Sequence, residues 1–436
     1  MISENAIRVT SRLRRAGYEA YLVGGCVRDL LLGREPKDFD VVTNAHPEQI
    51  RAVFRNCRLI GRRFRLAHVH FGQEVIEVAT FRGLAKEDTA PSGGAQAGRL
   101  SAGGMVLRDN VYGTIEEDAF RRDFTVNALY YDVDSASVID YTGGMDDHKA
   151  AVIRLIGDPE TRYREDPVRM LRAIRFAVKL GFSLHQDCAA PLARMAPLLR
   201  DIPSPRLYDE VIKLFMSGCA LQTFERLRQY HLFAELFPMT ERALATEQGN
   251  FPLVLLARAM ENTDLRIADD KPVTPYFLFA ALLWEPLRMR IAVLAAEGMN
   301  EAIAYQEAAS ELIARQVQHT AFPKAVGIPM REIWFLQPRL EKTQGVRPFR
   351  LLTHPRFRAA YDFLLLRAAS GEADQGLADW WTRFQVAGEA EQKAMTRHER
   401  KPAGKSAAAG PRPAARKRRR RSGGRHGGDR PVPADS

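Results

Sequence analysis

Cysteine is scarce in this chain: Cys26, Cys57, Cys188 and Cys219 are the only four in 436 residues. Their spacing fits neither a disulfide framework nor a zinc site, so they read as small buried hydrophobes in a reducing, cytoplasmic setting. No stretch reaches the roughly 18 to 20 apolar residues that a membrane span needs, so no membrane association is expected. Met1 to Asn5 lack the basic-then-apolar pattern of a signal peptide. No repeat of fixed period is present. Most of the chain also lacks an excess of either charge. The net charge is +11, but residues 397–436 hold thirteen Lys or Arg against three acidic residues, leaving the rest near +1.

What is present divides the chain into an α/β part and a helical part. Within the first 155 residues, Glu19–Val23 reads as a strand, Val27–Leu32 as a short helix closed by Gly33, and Asp38–Val42 as a second strand. Pro47 suits the first position of a helix to Phe54. Leu66–Phe71 and Glu74–Phe81 read as strands joined by a Gly72-Gln73 turn, and Leu129–Val133 with Val138–Tyr141 as a second hairpin. Residues 84–106 are rich in Gly, Ala and Ser and read as a mobile loop. A helix is expected from about Glu116, and from Pro159 to about Met395 the pattern is helical. Its clearest element is Pro167–Leu180, stopped by Gly181. Beyond Arg397 the composition cannot bury enough apolar surface to offset the entropy of ordering, which predicts a disordered basic tail.

The chemistry concentrates in four places. Asp38 and Asp40 are spaced to share one face of a strand while Phe39 points into the core. Two carboxylates on one face repel unless a cation lies between them, and Mg²⁺ takes hard oxygen ligands shared with phosphates. Upstream, Gly24-Gly25 before a helix permits close backbone approach to a triphosphate, with Arg28 one turn in. Glu77 interrupts an apolar strand and so requires a cation or a basic partner. It is either a third metal-facing carboxylate or half of a structural ion pair.

Asp118 to Asn127 contains Arg121, Arg122 and Asp123, which suit phosphate and ribose hydroxyls but would equally suit a solvated helix face. Glu165 to Phe176 carries Asp166, Arg169 and Arg172 on a helix whose Val168, Leu171, Ile174 and Val178 form an apolar stripe. Either Asp166 is a helix N-cap with the arginines facing solvent, or Asp166 and Arg169 read a base edge. In the second case Asp accepts from an exocyclic amine and Arg donates to a ring nitrogen, a pattern that adenine and cytosine share.

These segments, in this order, resemble the class II nucleotidyltransferases, which comprise bacterial poly(A) polymerases and the CCA-adding enzymes. The resemblance covers Gly24–Asp40, Glu77–Arg82, Arg121–Asn127 and Glu165–Arg175. It implies an α/β nucleotidyltransferase head (1–155), then an all-α neck (156–220), body and tail (221–395), and a disordered basic C-terminus (396–436). It further implies that Asp38, Asp40 and Asp123 are catalytic, and that two Mg²⁺ ions, or Mn²⁺ in their place, sit on Asp38, Asp40 and Glu77. Glu77 and Asp123 compete for the third metal-facing place, with strand geometry favouring Glu77. Gly24, Gly25, Arg28, Arg122, Asp166, Arg169 and Arg172 would contact the incoming nucleotide. Cys26 is a departure, standing where many relatives have Gly or Ala.

Leu59 to Val69 resembles the segment that marks the poly(A) polymerase branch, and the resemblance continues through Asn262–Ile267 and His354–Asp362. The phosphohydrolase-like His-Asp cluster of some CCA-adding enzymes is missing. The expectation is therefore template-independent transfer of AMP from ATP to RNA 3′ ends, with the RNA-degradation machinery as a partner. A CCA-adding tRNA nucleotidyltransferase is the alternative, and a catalytically inactive RNA-binding scaffold a second.

Overall fold

The computed structural model describes residues 2–61, 65–83, 111–246 and 251–397. The stretch read as a mobile loop, residues 62–64 of the branch-marking segment, and nearly all of the basic tail lie outside them.

The head is a seven-stranded sheet of order β3-β4-β5-β2-β1-β6-β7. The strands are β1 (Ala20–Val23), β2 (Asp40–Thr43), β3 (Cys57–Ile60), β4 (Leu66–Phe71), β5 (Glu74–Thr80), β6 (Leu129–Asp132) and β7 (Ser137–Asp140). Neighbours run antiparallel except β2 and β5, which are parallel and set Asp40 opposite Glu77. Alternation along β2 sends Val41 to one face and Val42 to the other. Val41 packs with α1 (Glu4–Arg15) and α3 (Pro47–Val53), whereas Val42 packs with Val23, Phe81, Ala119 and Tyr130. Asp40 shares the Val42 face.

Four elements differ from the sequence reading. The expected Asp38–Val42 strand begins at Asp40, because its partner β1 ends at Val23, which pairs with Asp40. Beyond Val23 the chain turns through Gly24 (φ 77°) into α2, Gly25–Leu31, two residues earlier than read. The amphipathic helix α1, whose N-cap Ser3 accepts from the Asn5 and Ala6 amides, was not anticipated, and neither was β3. Gly72 at φ 62° makes the expected tight β4–β5 turn.

On the cleft side of the sheet lies α4 (Ile115–Arg121), opened by a capping box between Thr114 and Glu117. The chain then crosses α5 (Gly144–Lys149) and α6 (Pro159–Glu165) to α7 (Val168–Leu180), which ends on Gly181 at φ 74°. Val168, Leu171, Ala173 and Ile174 of α7 lie in one apolar core with Phe124, Val126 and Leu155 of the head and with the helices that follow. That continuous core fixes the helical part against the sheet. A smaller core around Trp381, Phe357 and Leu340 closes the C-terminal end. No helix among the described residues is long and apolar enough to cross a membrane.

Candidate active site

A cleft of about 490 Å³ separates the sheet from α7. One wall carries Asp40 and Glu77. The other carries Arg122, Asp123, Asp166, Arg169, Arg172 and Phe176, with Gly24, Gly25 and Arg28 at the end between them.

The acidic wall is set by strand register. Asp40 is open to solvent at the cleft yet walled in by protein, and burial followed by the Glu77 charge pushes its carboxyl up to about 6; Asp38 adds to the rise and Arg122 opposes it. A like charge held this close disfavours the ionised carboxylate. Asp38 precedes the strand, is exposed, and is not among the residues lining the cleft, although its charge reaches Asp40. Glu77 is half-exposed and stands 3.4 Å from His68 Nε2, its cross-strand partner on β4. Among the described residues no three acidic, histidine or cysteine side chains converge on one point. Two neighbouring carboxylates still fit Mg²⁺, which is commonly held by one or two carboxylates and completed by phosphate oxygens.

The basic wall is a set of arginines each clasped by an acid or amide. Arg28, only 3% exposed, donates from Nη1 to Asn127 Oδ1 at 2.5 Å and from Nη2 to Asp29 at 2.7 Å. Asn127 donates to Asp123 Oδ1 at 3.4 Å, and the Phe124 amide donates to the same oxygen at 2.8 Å. The other Asp123 oxygen accepts from Arg172 at 2.5 and 2.7 Å. Burial raises the Asp123 carboxyl, but Arg172 and these hydrogen bonds outweigh it and hold the group below its ordinary range. Both Asp123 oxygens are thus engaged with α7 and the local backbone, while Glu77 faces Asp40.

Arg122 donates to Asp118 Oδ2 at 2.9 and 3.1 Å and to Tyr130 Oη at 3.1 Å. Its guanidinium lies 3.6 Å from where a Cβ on Gly24 would sit, an ordinary contact; it is the φ of 77° that reserves this position for glycine. Arg169 donates to Glu165 at 2.7 Å and to the Arg162 carbonyl at 2.8 Å. Asp166 accepts from the Val168 amide at 3.3 Å and from Arg206 at 2.7 Å; the N-cap position itself is Pro167. Arg28, Arg172 and Arg175 all lie within 5.3 Å of the Phe176 ring centre.

Of the residues singled out from sequence, Gly24, Gly25, Arg28, Asp40, Glu77, Arg122, Asp123, Asp166, Arg169 and Arg172 meet in this one cleft, and Asp38 alone stands outside its lining. Sequence reasoning passed over the residues that hold them. Asp118 and Glu165 were legible in principle, since each lies one helical turn before the arginine it pairs with. Arg206 and Tyr130 come from distant segments and left no local signal.

A poly(A) polymerase head domain matches residues 20–154, a segment described as a probable RNA- and SrmB-binding site of polymerase A matches 181–244, and the arginine-rich C-terminus of polymerase A matches 297–423. Poly(A) polymerase I of Escherichia coli O157:H7 is 52% identical over 90% of this chain and 85% of its own length. The chain belongs to the poly(A) polymerase family. By contrast, the CC-adding tRNA nucleotidyltransferase of Halalkalibacterium halodurans is 38% identical over 49% of each chain. Among solved structures, the Bacillus stearothermophilus CCA-adding enzyme in complex with CTP superposes with a TM-score of 0.56 at 26% identity, covering 87% of this chain and 80% of that one. The family likeness thus extends along nearly the whole chain for the polyadenylating branch, and along half of it for the CC-adding relative.

Proposed function

We propose that this protein transfers AMP from ATP to the 3′ ends of RNA without a template, in the cytoplasm, and that the tails it adds mark RNA for decay. The observation that carries this reading is the pairing of two unequal walls in one cleft, carboxylates Asp40 and Glu77 against the fixed arginines Arg28, Arg122, Arg169 and Arg172, in a chain of this family.

Asp38, Asp40 and Glu77 would hold Mg²⁺ or Mn²⁺, which supplies charge stabilisation for the attacking and leaving oxygens. Gly24 and Gly25 give the triphosphate close access to the backbone, and Arg28 and Arg122 neutralise its charge. Asp123, committed to Arg172, holds that guanidinium toward the nucleotide. Asp166 and Arg169 read the base edge, and Arg206 and Glu165 hold them there. The RNA 3′ hydroxyl attacks the α-phosphorus of ATP in line, the bond to the β-phosphate oxygen breaks, and pyrophosphate leaves. The proton of the hydroxyl passes to solvent or to a cleft carboxylate.

Base reading by Asp166 and Arg169 admits both ATP and CTP, so the tRNA CCA-adding reading is separated by products. Incubation with a generic RNA primer and all four nucleoside triphosphates, followed by product sequencing, should give oligoadenylate. Addition confined to tRNA and ending in CCA would overturn the reading.

A further inference from the structure

Two stretches of the chain have no part in the cleft, Asn262–Ile267 and His354–Asp362. The fold brings them together. The first lies near the end of the Phe251–Ala268 helix and the second leads into the Phe357–Ala369 helix, with the Pro275–Leu282 helix beside them. Between these elements is a pocket of about 580 Å³.

Some residues of the two stretches have structural partners. Asp264 accepts from the Ala220 and Leu221 amides and so caps the Ala220–Gln229 helix. Thr263 bonds back to the Ala259 carbonyl, and Tyr361 meets Thr382. Others face the pocket instead. Leu265, which lines it, is 59% exposed. Neither the Asn262 amide nor the Tyr276 hydroxyl has a hydrogen-bond partner among the described residues.

The pocket's charge is weighted to the basic side. Lys271 and Arg358 pair with Asp269 and Asp362, and Arg356 pairs with Glu332 while lying 5.4 Å over the Tyr276 ring. Arg266 donates only to the Pro272 carbonyl and meets no carboxylate among the described residues. Guanidinium groups beside a half-buried aromatic and unpaired amide and hydroxyl groups are what one nucleotide of a single strand needs: a face for the base, a cation for the phosphate, and hydrogen bonds for the edge. An acidic peptide would use the cations and leave Leu265 and the ring without a flat partner.

The location suits the same occupant. The Phe251–Ala268 helix packs on Ala220–Gln229, which packs on α7 from the side away from the cleft. Two helix layers at about 8–10 Å each put the pocket on the order of 20 Å from the axis of α7, beyond which the cleft lies. It is also built outside residues 181–244, the segment matched as probable RNA-binding. We propose that this pocket holds a nucleotide of the RNA primer several positions upstream of its 3′ end. The proposal rests on RNA being the primer.

The test uses the full-length chain carrying Arg266→Glu with Arg358→Glu, and separately Tyr276→Leu, which keeps the apolar packing if the double variant fails to fold. AMP addition is measured on a trinucleotide, too short to reach the pocket, and on a long unstructured oligoadenylate. The expected result is a rise of roughly tenfold in KM for the long primer, the size of one missing base–aromatic stack, with kcat and trinucleotide extension unchanged. An unchanged KM for the long primer, or equal losses on both primers, would overturn the proposal. Failure of the wild-type chain to extend either RNA would instead strike the proposed function itself.

Discussion

Asp40 and Glu77 are direct partners across the parallel β2–β5 ladder, and burial together with the Glu77 charge raises the Asp40 carboxyl. A one-residue slip of β2 against β5 would turn Asp40 into the apolar core on the α1 side and leave Glu77 alone on the cleft face. The pairing is therefore a property of the sheet, and it makes the proposed metal site testable one carboxylate at a time.

Asp40→Asn should abolish AMP transfer, a loss on the order of a thousandfold or more. Its thermal midpoint in the presence of a chelator should not fall, because the neutral amide relieves the repulsion from Glu77. Asp38→Asn should lose transfer as heavily, while Glu77→Gln should raise the Mg²⁺ concentration needed for half-maximal rate. Near-wild-type turnover by either aspartate variant at saturating Mg²⁺ would remove the metal assignment.

Asp123 gives a stability prediction with a definite sign. Its carboxyl is held below its ordinary value in the folded protein. The resulting stability is present above the unfolded value, near 4, and is lost as pH falls through the lower folded value. Asp123→Asn should therefore be less stable than wild type at pH 7, by about 3 kcal/mol for a broken buried pair. The gap should close in strong acid. Urea melts of both proteins across that range check it; a gap independent of pH would mean that the Arg172 pairing contributes nothing.

Arg169→Ala should weaken discrimination against UTP and GTP as well as slow the reaction. A base-edge contact of this kind is worth roughly 1 to 3 kcal/mol of discrimination. Single-nucleotide addition with each triphosphate measures it. If the rate falls with the nucleotide preference intact, Arg169 and Glu165 form a structural pair and nothing more.

Deleting residues 397–436 should weaken RNA binding evenly across sequences. Every phosphate that the tail no longer neutralises should flatten the log–log salt dependence by about 0.7 on a single strand. Addition of the first nucleotide at saturating primer should survive. Identical salt slopes for the full and shortened chains would assign the +10 tail to solubility rather than RNA capture.

The sequence alone determined the local features: where chemistry-bearing residues lie along the chain, and which side of a strand or helix each can face. Alternation fixed Phe39 as core, Gly181 marked the end of α7, and the Asp-x-Asp and Gly-Gly spacings pointed to Asp40, Gly24 and Gly25 of the cleft. It also allowed the N-terminal helix, whose Ser3 cap and buried Ala6, Val9 and Leu13 are a plain amphipathic pattern that went unread. Tertiary structure decided everything that depends on which strand lies beside which. That β2 starts at Asp40, leaving Asp38 at the margin, follows from the length of β1. That Asp123 is bound to Arg172 follows from packing α7 across the sheet, and that Glu77 faces Asp40 follows from the parallel pairing of β2 with β5. That Arg206 holds Asp166 requires two helices to meet. Such long-range pairings are set by burial of the shared core, and the periodicity of any one segment carries no record of its partner.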